Sequence, residues 1–193
     1  MNATTGIRPG GRGWPARGAY AAIRLVLFDV DGVLTDGGLF LDARGAETKR
    51  FDVRDGSGMA FLRHAGLEMA LLSGRSSRAT ERRAADLHIP KTRVWQGAKH
   101  KAPVFAEVLK TCGVRKEEVA FIGDDIVDLP VLEQAGISAC PGDAHPAAME
   151  ASHLICTAPG GRGAVRQFCE HLIKRRGTGE WERTIRSYLG QKE

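Results

Sequence analysis

The stretch that decides the fold is Leu25-Val26-Leu27-Phe28-Asp29-Val30-Asp31-Gly32, an apolar run that ends in two acids and a glycine. Such a run is typical of a central parallel strand, because both faces of that strand are buried. Ligands of open α/β sheets bind beyond the carboxyl ends of the strands, so Asp29 and Asp31 are predicted to lie in a crevice. Two carboxylates there are costly unless a cation is bound. The alternative is a surface turn, in which Asp and Gly are common.

A second acidic strand end argues against a surface turn. Residues 119–122 form another apolar run, and the next residues are Gly123-Asp124-Asp125-Ile126-Val127-Asp128. The carboxyl ends of parallel strands meet at one edge of a sheet, so the two acidic groups should converge there. Hard oxygen ligands suit Mg²⁺, which takes one or two carboxylates together with water and substrate phosphate.

Further strands are predicted at residues 67–72, 93–96, 137–140 and 153–156, alternating with helices. This alternation predicts an α/β fold around a central parallel sheet. Ser73-Gly74-Arg75 follows the second strand and offers a hydroxyl and free N–H groups to phosphate, and Ser76 or Ser77 caps the helix after it. A helix from about Pro103 to Thr111 is preceded by Lys99 and Lys101, either of which can neutralise a phosphoryl oxygen.

A β-hairpin is predicted directly after the first acidic strand end. Two short strand-like runs within residues 38–53 flank Asp42-Ala43-Arg44-Gly45, in which Gly45 suits a positive-φ turn. A pair of exposed strands is marginal alone, so we expect it to pack on a neighbouring subunit. The polar residues 52–58 are predicted to form a loop that opens a helix at Met59 and attracts anions beside Arg54; ordinary capping by Asp55 or Ser57 is the alternative.

The two ends of the chain are predicted to lie outside the folded domain, which spans residues 22–175. Residues 1–21 are rich in Gly and Pro and are expected to be a disordered arm, with Trp14 as a weak docking residue. Residues 176–193 form a charged tail that is expected to be a loose helix. Between these ends, residues 159–166 form a glycine-rich loop around Arg162. Glycines let the backbone approach an anion closely, so this loop is a candidate anion-binding segment.

Composition restricts the classes of protein that the chain can belong to. It has 193 residues, 42% of them hydrophobic, and a formal net charge of +5. Its four cysteines lack metal-ligand spacing, which favours reduced thiols in a cytoplasmic protein. No apolar segment is long enough to span a membrane, and the N-terminus has no signal-peptide pattern. The positive charge lacks an aromatic platform for nucleic acid, whereas an acidic or phosphorylated small substrate explains the internal arginines.

Taken together, these motifs resemble those of the haloacid dehalogenase-like phosphatases. They occur in the order Asp29-Val30-Asp31-Gly32-Val33-Leu34-Thr35, Ser73, Lys101 and Gly123-Asp124-Asp125-x-x-Asp128, and the resemblance spans residues 23 to about 174. It implies a Rossmann-like fold of three layers. Within the superfamily the chain is similar to the small, capless 3-deoxy-D-manno-octulosonate 8-phosphate phosphatases, through the hairpin, Phe51-Asp52-Val53-Arg54-Asp55-Gly56, Ser73-Gly74-Arg75, Gln96-Gly97 with Lys101, and residues 160–166.

The resemblance implies a mechanism and a role for each matching residue. Asp29 would attack phosphorus and form an aspartyl-phosphate, while Asp31 would act as general acid and base. Mg²⁺ would be held by the carboxylates of Asp29 and Asp124 and the backbone carbonyl of Asp31. Lys101 and Ser73 would hold the phosphoryl oxygens, and Asp125 or Asp128 would orient the waters of the metal.

The resemblance also implies a substrate and an assembly. The substrate-binding residues would be Asp52, Arg54, Asp55, Gly56, Arg75, Arg83, Lys101 and Arg162, of which the arginines suit a sugar carboxylate. A homotetramer is implied, in which hairpins and glycine-rich segments, including Arg162, complete a neighbour's active site. Two alternatives remain: a nonulosonate 9-phosphate phosphatase of the sialic-acid type, and a non-catalytic tetramerisation module.

Overall fold

The computed structural model describes residues 6–190, and its centre is a seven-stranded sheet. In their order across the sheet the strands are β1 (Ile7–Pro9), β9 (Leu154–Cys156), β8 (Ile137–Cys140), β7 (Val119–Ile122), β2 (Leu25–Phe28), β5 (Glu68–Leu72) and β6 (Val94–Trp95). All neighbouring pairs are parallel except β1 with β9. The strand that the sequence placed at the centre therefore lies between β7 and β5, as predicted.

Helices cover both faces of this sheet and give the three-layer arrangement. Their bounds are α1 (Arg17–Ala22), α2 (Val53–His64), α3 (Arg78–Asp86), α4 (Lys101–Cys112), α5 (Leu129–Leu132), α6 (Pro146–Ala151), α7 (Ala164–Arg176) and α8 (Glu180–Tyr188). Along β2, Val26 and Phe28 join the core under α2 and α7, whereas Leu25 and Leu27 join the core under α4 and α5. Alternate side chains point to opposite faces of a strand, so an unbroken apolar run is required here.

Helix α2 starts six residues earlier than predicted. It begins at Val53, with Asp52 as its N-cap, and it includes the residues that were expected to form a loop. Gly56 and Gly58 caused the error, because glycine disfavours helix interiors. Both are close-packing positions: a Cβ at Gly56 would lie 2.5 Å from Nη2 of Arg83, and one at Gly58 would lie 2.9 Å from Cα of Arg166.

The disordered arm expected for residues 1–21 is wrong for the residues that are described. Strand β1 adds to the sheet edge beside β9, and α1 buries Tyr20 against α7. The Tyr20 hydroxyl lies 3.0 Å from Nε2 of His171, and Trp14 stacks on the same ring at 5.8 Å between centroids. Composition misled here, because one buried aromatic and one edge pairing are enough to order a segment rich in glycine. Residues 1–5 lie outside the described part.

The C-terminal tail packs on the domain through aromatic contacts. Trp181 and Tyr188 of α8 meet Phe61 of α2 edge-on, at 5.6 and 4.7 Å between ring centroids. Such pairs contribute about 0.5–1.5 kcal/mol beyond the burial of their area. The expected tail helix therefore exists, and it is held against α2.

The predicted hairpin is present and is strongly exposed. Strands β3 (Phe40–Leu41) and β4 (Glu47–Thr48) pair antiparallel, and Gly45 adopts a φ of +78° in the connecting turn. Phe40 and Leu41 are each 64% exposed. Apolar side chains at such exposure form a surface suited to another protein chain.

Within residues 6–190, every helix is too short or too polar to cross a lipid bilayer.

Candidate active site

Asp29 follows directly on β2 and is nearly buried. Its N–H donates to the carbonyl of Ile122 at 3.0 Å, which continues the pairing of β2 with β7. The chain then turns tightly, and Gly32 adopts a φ of +85°. A Cβ at Gly32 would lie 2.1 Å from Oδ2 of Asp124, so glycine lets the two acidic strand ends approach each other. The predicted convergence of these two groups is therefore present.

Lys101 is the lysine that enters the site. It begins α4 and is 2% exposed, whereas Lys99 is exposed. Its Nζ lies 2.9 Å from Oδ1 of Asp29 and 2.5 Å from Oδ1 of Asp128. Burial lowers the pKa of Lys101, but the carboxylates of Asp29 and Asp128 raise it by more. The pKa is therefore raised overall, and the ammonium stays charged. A buried ammonium between two carboxylates is a ready anion contact once a phosphoryl group displaces one of them.

Asp128 positions Lys101 and its own loop. Its Oδ2 accepts hydrogen bonds from the N–H groups of Asp124 and Asp125, at 2.9 and 3.2 Å, while Oδ1 faces Lys101. Both oxygens therefore accept hydrogen bonds from protein donors, and the predicted orientation of metal waters stays a prediction. Asp125 caps the following 3₁₀ turn through the N–H of Ile126.

The acidic cluster fits a divalent cation. One carboxylate oxygen from each of Asp29, Asp124 and Asp128 lies within 4.8 Å of the others, and Oδ1 of Asp124 is buried without a hydrogen-bond partner. Burial and the neighbouring carboxylates raise the pKa of Asp29 to about 7 and that of Asp124 to about 8. A cation would relieve this repulsion and satisfy the orphaned oxygen. Asp128 already accepts three hydrogen bonds from protein donors, so Asp29 and Asp124 are the less committed ligands of this cluster.

Asp31 lies between Ser73 and a lysine that the sequence analysis did not select. Its Oδ1 is 2.6 Å from Nζ of Lys49, and its Oδ2 is 3.5 Å from Oγ of Ser73. Ser73 is fully buried and also accepts the N–H of Arg75 at 3.2 Å. The structure thus brings Asp29, Asp31, Ser73, Lys101 and Asp124 to adjacent strand and helix ends.

The predicted substrate residues around the start of α2 form a second group. The guanidinium of Arg54 pairs with Asp52 at 2.7 Å, and hydrogen bonds from Arg54 hold the pKa of Asp52 below its usual range. Arg83 donates to the carbonyl of Asp52 at 3.3 Å and lies over the ring of Phe51. Its Nε is buried without a partner, so Arg83 retains a donor for an anionic group.

The structure gives Asp55 a structural role, and the predicted contact of Gly56 with substrate stays a prediction. Asp55 is 1% exposed, and its carboxylate accepts the N–H groups of Gly163 and Arg166 at 3.2 and 2.8 Å. It therefore caps the first turn of α7 from a distant part of the chain. Gly56, as noted, leaves room for Arg83.

The glycine-rich segment contacts its own chain, and the predicted contact with a neighbour's site stays a prediction. Gly161 N–H donates to the carbonyl of Val33 at 2.8 Å, and a Cβ at Gly160 would lie 1.8 Å from the carbonyl oxygen of Gly32. Arg162 lies 3.4 Å from Asp36 of the same chain. The segment therefore supports the turn that carries Asp31.

Two functional features escaped the sequence analysis. Lys49 reads as an ordinary charged residue of an exposed hairpin, although its spacing of two from Glu47 predicts that both side chains lie on one side of an extended chain. Asp128 was predicted to orient the waters of the metal, but its contact with Lys101 was not foreseen. The signal that identifies each is a contact made across the fold.

Comparison with protein families and curated proteins agrees with this site. Residues 50–136 match the family of haloacid dehalogenase-like hydrolases. This match includes Ser73, Lys101 and Asp124. The chain is also 39% identical over 155 residues to the 3-deoxy-D-manno-octulosonate 8-phosphate phosphatase of Escherichia coli K12, covering 80% of this chain and 81% of that protein.

Solved structures give the same result. The phosphatase of that name from Yersinia pestis superposes with a TM-score of 0.80 at 38% identity, over 86% of this chain and 88% of that one. The Moraxella catarrhalis phosphatase, solved with magnesium ion, phosphate ion and KDO, gives 0.83 at 33% identity, over 89% and 97%.

Proposed function

Because the match to curated relatives spans four fifths of both chains, this protein belongs to the 3-deoxy-D-manno-octulosonate 8-phosphate phosphatases, and we propose that Asp29 carries out their reaction here. The activity is Mg²⁺-dependent hydrolysis of the sugar phosphate to the free sugar acid and phosphate. The observation that carries the residue assignment is the Lys101 ammonium, buried between Asp29 and Asp128.

In the first step, a carboxylate oxygen of Asp29 bonds to phosphorus as the bond from phosphorus to the sugar oxygen breaks. Asp31 gives its proton to that oxygen, so the sugar leaves as an alcohol. In the second step, a water oxygen attacks phosphorus, Asp31 takes the proton, and the bond between Asp29 and phosphorus breaks. Atoms and charge balance over the two steps, and both aspartates return to their starting states.

Positioning and charge are the main demands of phosphoryl transfer. Lys101 supplies one positive charge and Ser73 one hydroxyl to the phosphoryl oxygens. Asp29, Asp124 and the backbone carbonyl of Asp31 would hold Mg²⁺, which supplies charge neutralisation between the anionic nucleophile and the phosphate. Asp128 holds Lys101 in place from the opposite side of its ammonium.

The sugar carboxylate is proposed to bind the arginines at the mouth of the site. The side chains of Arg54, Arg75 and Arg162 are 64%, 49% and 57% exposed, and Arg83 keeps a buried Nε donor without a partner. A guanidinium fork suits a carboxylate better than an ammonium does. These arginines lie on α2, after β5, before α7 and on α3, so the fold supplies them from four separate segments.

Phosphate release from a panel of sugar phosphates tests the function. The wild type with Mg²⁺ should release phosphate from 3-deoxy-D-manno-octulosonate 8-phosphate, and Asp29→Asn should lose at least about a thousandfold of that rate while keeping its melting temperature. Faster release from a nonulosonate 9-phosphate would favour the sialic-acid type instead. Release from neither by the wild type would indicate a non-catalytic module.

A homotetramer is proposed from the exposed hairpin. Three consecutive apolar residues of the hairpin, Leu39, Phe40 and Leu41, are 40–64% exposed, and Val53 at the start of α2 is 79% exposed. A second copy of the chain that covers this surface explains why a hairpin of two-residue strands persists. Light scattering on Phe40→Asp should show a smaller species than the wild type, and an unchanged mass would contradict this assembly.

We further propose that the protein is capless and acts in the cytoplasm on a small substrate, without a nucleic-acid partner. Between the first acidic strand end and α2 the chain supplies only the hairpin, which is too small for a cap domain. The four cysteines are free in the structure, as expected for a reducing compartment.

A further inference from the structure

Lys49 is buried although it lies at the end of an exposed hairpin. Its side chain has 0% exposure, whereas that of the next residue, Arg50, has 46%. Taking an ammonium out of water costs several kcal/mol unless a carboxylate compensates. Lys49 has two such partners, Asp31 at 2.6 Å and Glu47 at 3.3 Å. A solvated hairpin charge has neither property, so Lys49 has a specific role at the site.

The contact with Lys49 makes the two oxygens of Asp31 inequivalent. Oδ1 accepts a hydrogen bond from the ammonium, and Oδ2 accepts one from the Ser73 hydroxyl at 3.5 Å, a group that can also rotate to accept a proton. A lysine ammonium only donates, so the oxygen that it binds is not the one that carries a proton. The proton of the neutral carboxyl group therefore belongs on Oδ2, on the side of Ser73.

Glu47 fixes Lys49 in turn. Its Oε2 lies 2.7 Å from Nη2 of Arg75, and its Oε1 faces Lys49. Arg75 follows β5, and Lys49 follows β4, so the chain of charges Arg75, Glu47, Lys49 and Asp31 ties the hairpin to the sheet. The short strands of the hairpin supply only two cross-strand residue pairs, and the ion pairs add the anchoring that these cannot give.

We propose that Lys49 is a positioning residue for Asp31, holding Oδ1 so that Oδ2 delivers the proton to the leaving oxygen and later removes one from water. This inference rests on the proposed role of Asp31 as general acid and base. It predicts that loss of Lys49 lowers the rate most for the leaving group that most needs a proton. A sugar alkoxide is a poor leaving group and needs the proton, whereas p-nitrophenolate leaves without one.

The test compares the holoenzyme with Lys49→Met on these two leaving groups in the presence of Mg²⁺. With the sugar phosphate, kcat should fall by about 10²-fold, the lower end of the range for a displaced general acid. With p-nitrophenyl phosphate, the first turnover should keep its wild-type rate and the second step should slow. A burst of one nitrophenolate per site should then precede a slow steady state. Lys110→Met, an exposed lysine on α4, is the matched control and should show no burst.

Two further variants separate positioning from mere folding. Lys49→Arg keeps a donor for Oδ1 and should recover part of the lost rate with the sugar phosphate. Asp31→Asn should show the same leaving-group dependence, and the double variant should lose little more than Asp31→Asn alone, because the two residues act as one unit.

The outcomes distinguish the inference from the function on which it rests. An equal loss of the first-turnover rate on both leaving groups, or no loss with Lys49→Met, would overturn the role of Lys49 while leaving the phosphatase intact. A wild type that releases no phosphate from the sugar phosphate would overturn the proposed function, and the role of Lys49 with it. A burst that is also seen with Lys110→Met would overturn the positioning role.

Discussion

Gly160→Ala should lower the catalytic rate far more than it lowers the stability of the fold, because this glycine touches the turn that carries Asp31. A Cβ there would lie 1.8 Å from the carbonyl oxygen of Gly32 and 3.2 Å from that of Thr35. Contacts of a Cβ below 3.0 Å are essentially never seen, so the two backbones must separate by at least about 1.2 Å. Neither neighbour is a flexible side chain, and the turn itself has to move.

The expected magnitude follows from this displacement. Overpacking of this kind costs about 1–3 kcal/mol of unfolding free energy, which is roughly 2–10 °C of melting temperature in a chain of this size. A misplacement of about 1 Å at catalytic groups costs on the order of a hundredfold in rate. Gly160→Ala should therefore remain folded at 25 °C with about 1% of the wild-type kcat.

Steady-state phosphate release and thermal melting, measured on the same preparation, check this expectation. Gly18→Ala is the matched control, because Gly18 also has no positive φ and a Cβ there would meet nothing within 4 Å. It should keep full activity and melt at or above the wild-type temperature. Wild-type kcat in Gly160→Ala at an unchanged melting temperature would refute the contact between the two segments.

Three other predictions concern the metal, a buried histidine and a cap. EDTA should abolish activity and lower the melting temperature, Mg²⁺ should restore both, and Asp124→Asn should lose both responses; a fully active chelated enzyme would contradict the cation site. Burial chiefly, with Arg175 and Lys174 adding, lowers the pKa of His171 to about 4. Between about pH 4 and 6.5 the folded protein then binds fewer protons than the unfolded chain. Neutral His171 therefore contributes up to about 3 kcal/mol to the free energy of unfolding above pH 6.5, and this stability is lost as the pH falls to 4. Urea unfolding of His171→Gln should accordingly lose less stability than the wild type between pH 7 and 5, and equal losses would contradict the assignment. Asp55→Ala should lower the unfolding free energy by about 2–3 kcal/mol, since two backbone N–H groups lose an anionic acceptor, yet leave KM unchanged; a raised KM at full stability would return Asp55 to the substrate site.

The helix at residues 53–58 and the N-terminal segment show where sequence reasoning failed. In both, glycine content predicted a loop or disorder, because propensity is a local property. The glycines of α2 allow Arg83 and Arg166 to pack closely, and the N-terminal segment is ordered by Tyr20. Each compensating contact is made with a residue far away in the chain, so no local pattern carries it.

The sequence by itself determined the central strands, the acids at their ends, Ser73 and the choice of fold. These depend on runs of apolar residues and on one rule, that parallel strands present their carboxyl ends at a common edge. Tertiary structure alone decided that Asp55 caps α7 and that residues 160–161 support their own turn, and it placed Lys101 rather than Lys99 beside Asp29, as the resemblance implied. It also brought Lys49 to Asp31, 18 positions away. The physical reason is burial. The type of a charged residue does not tell whether it lies in water or in a crevice, and only the packed chain determines which charges lose their water and need a partner.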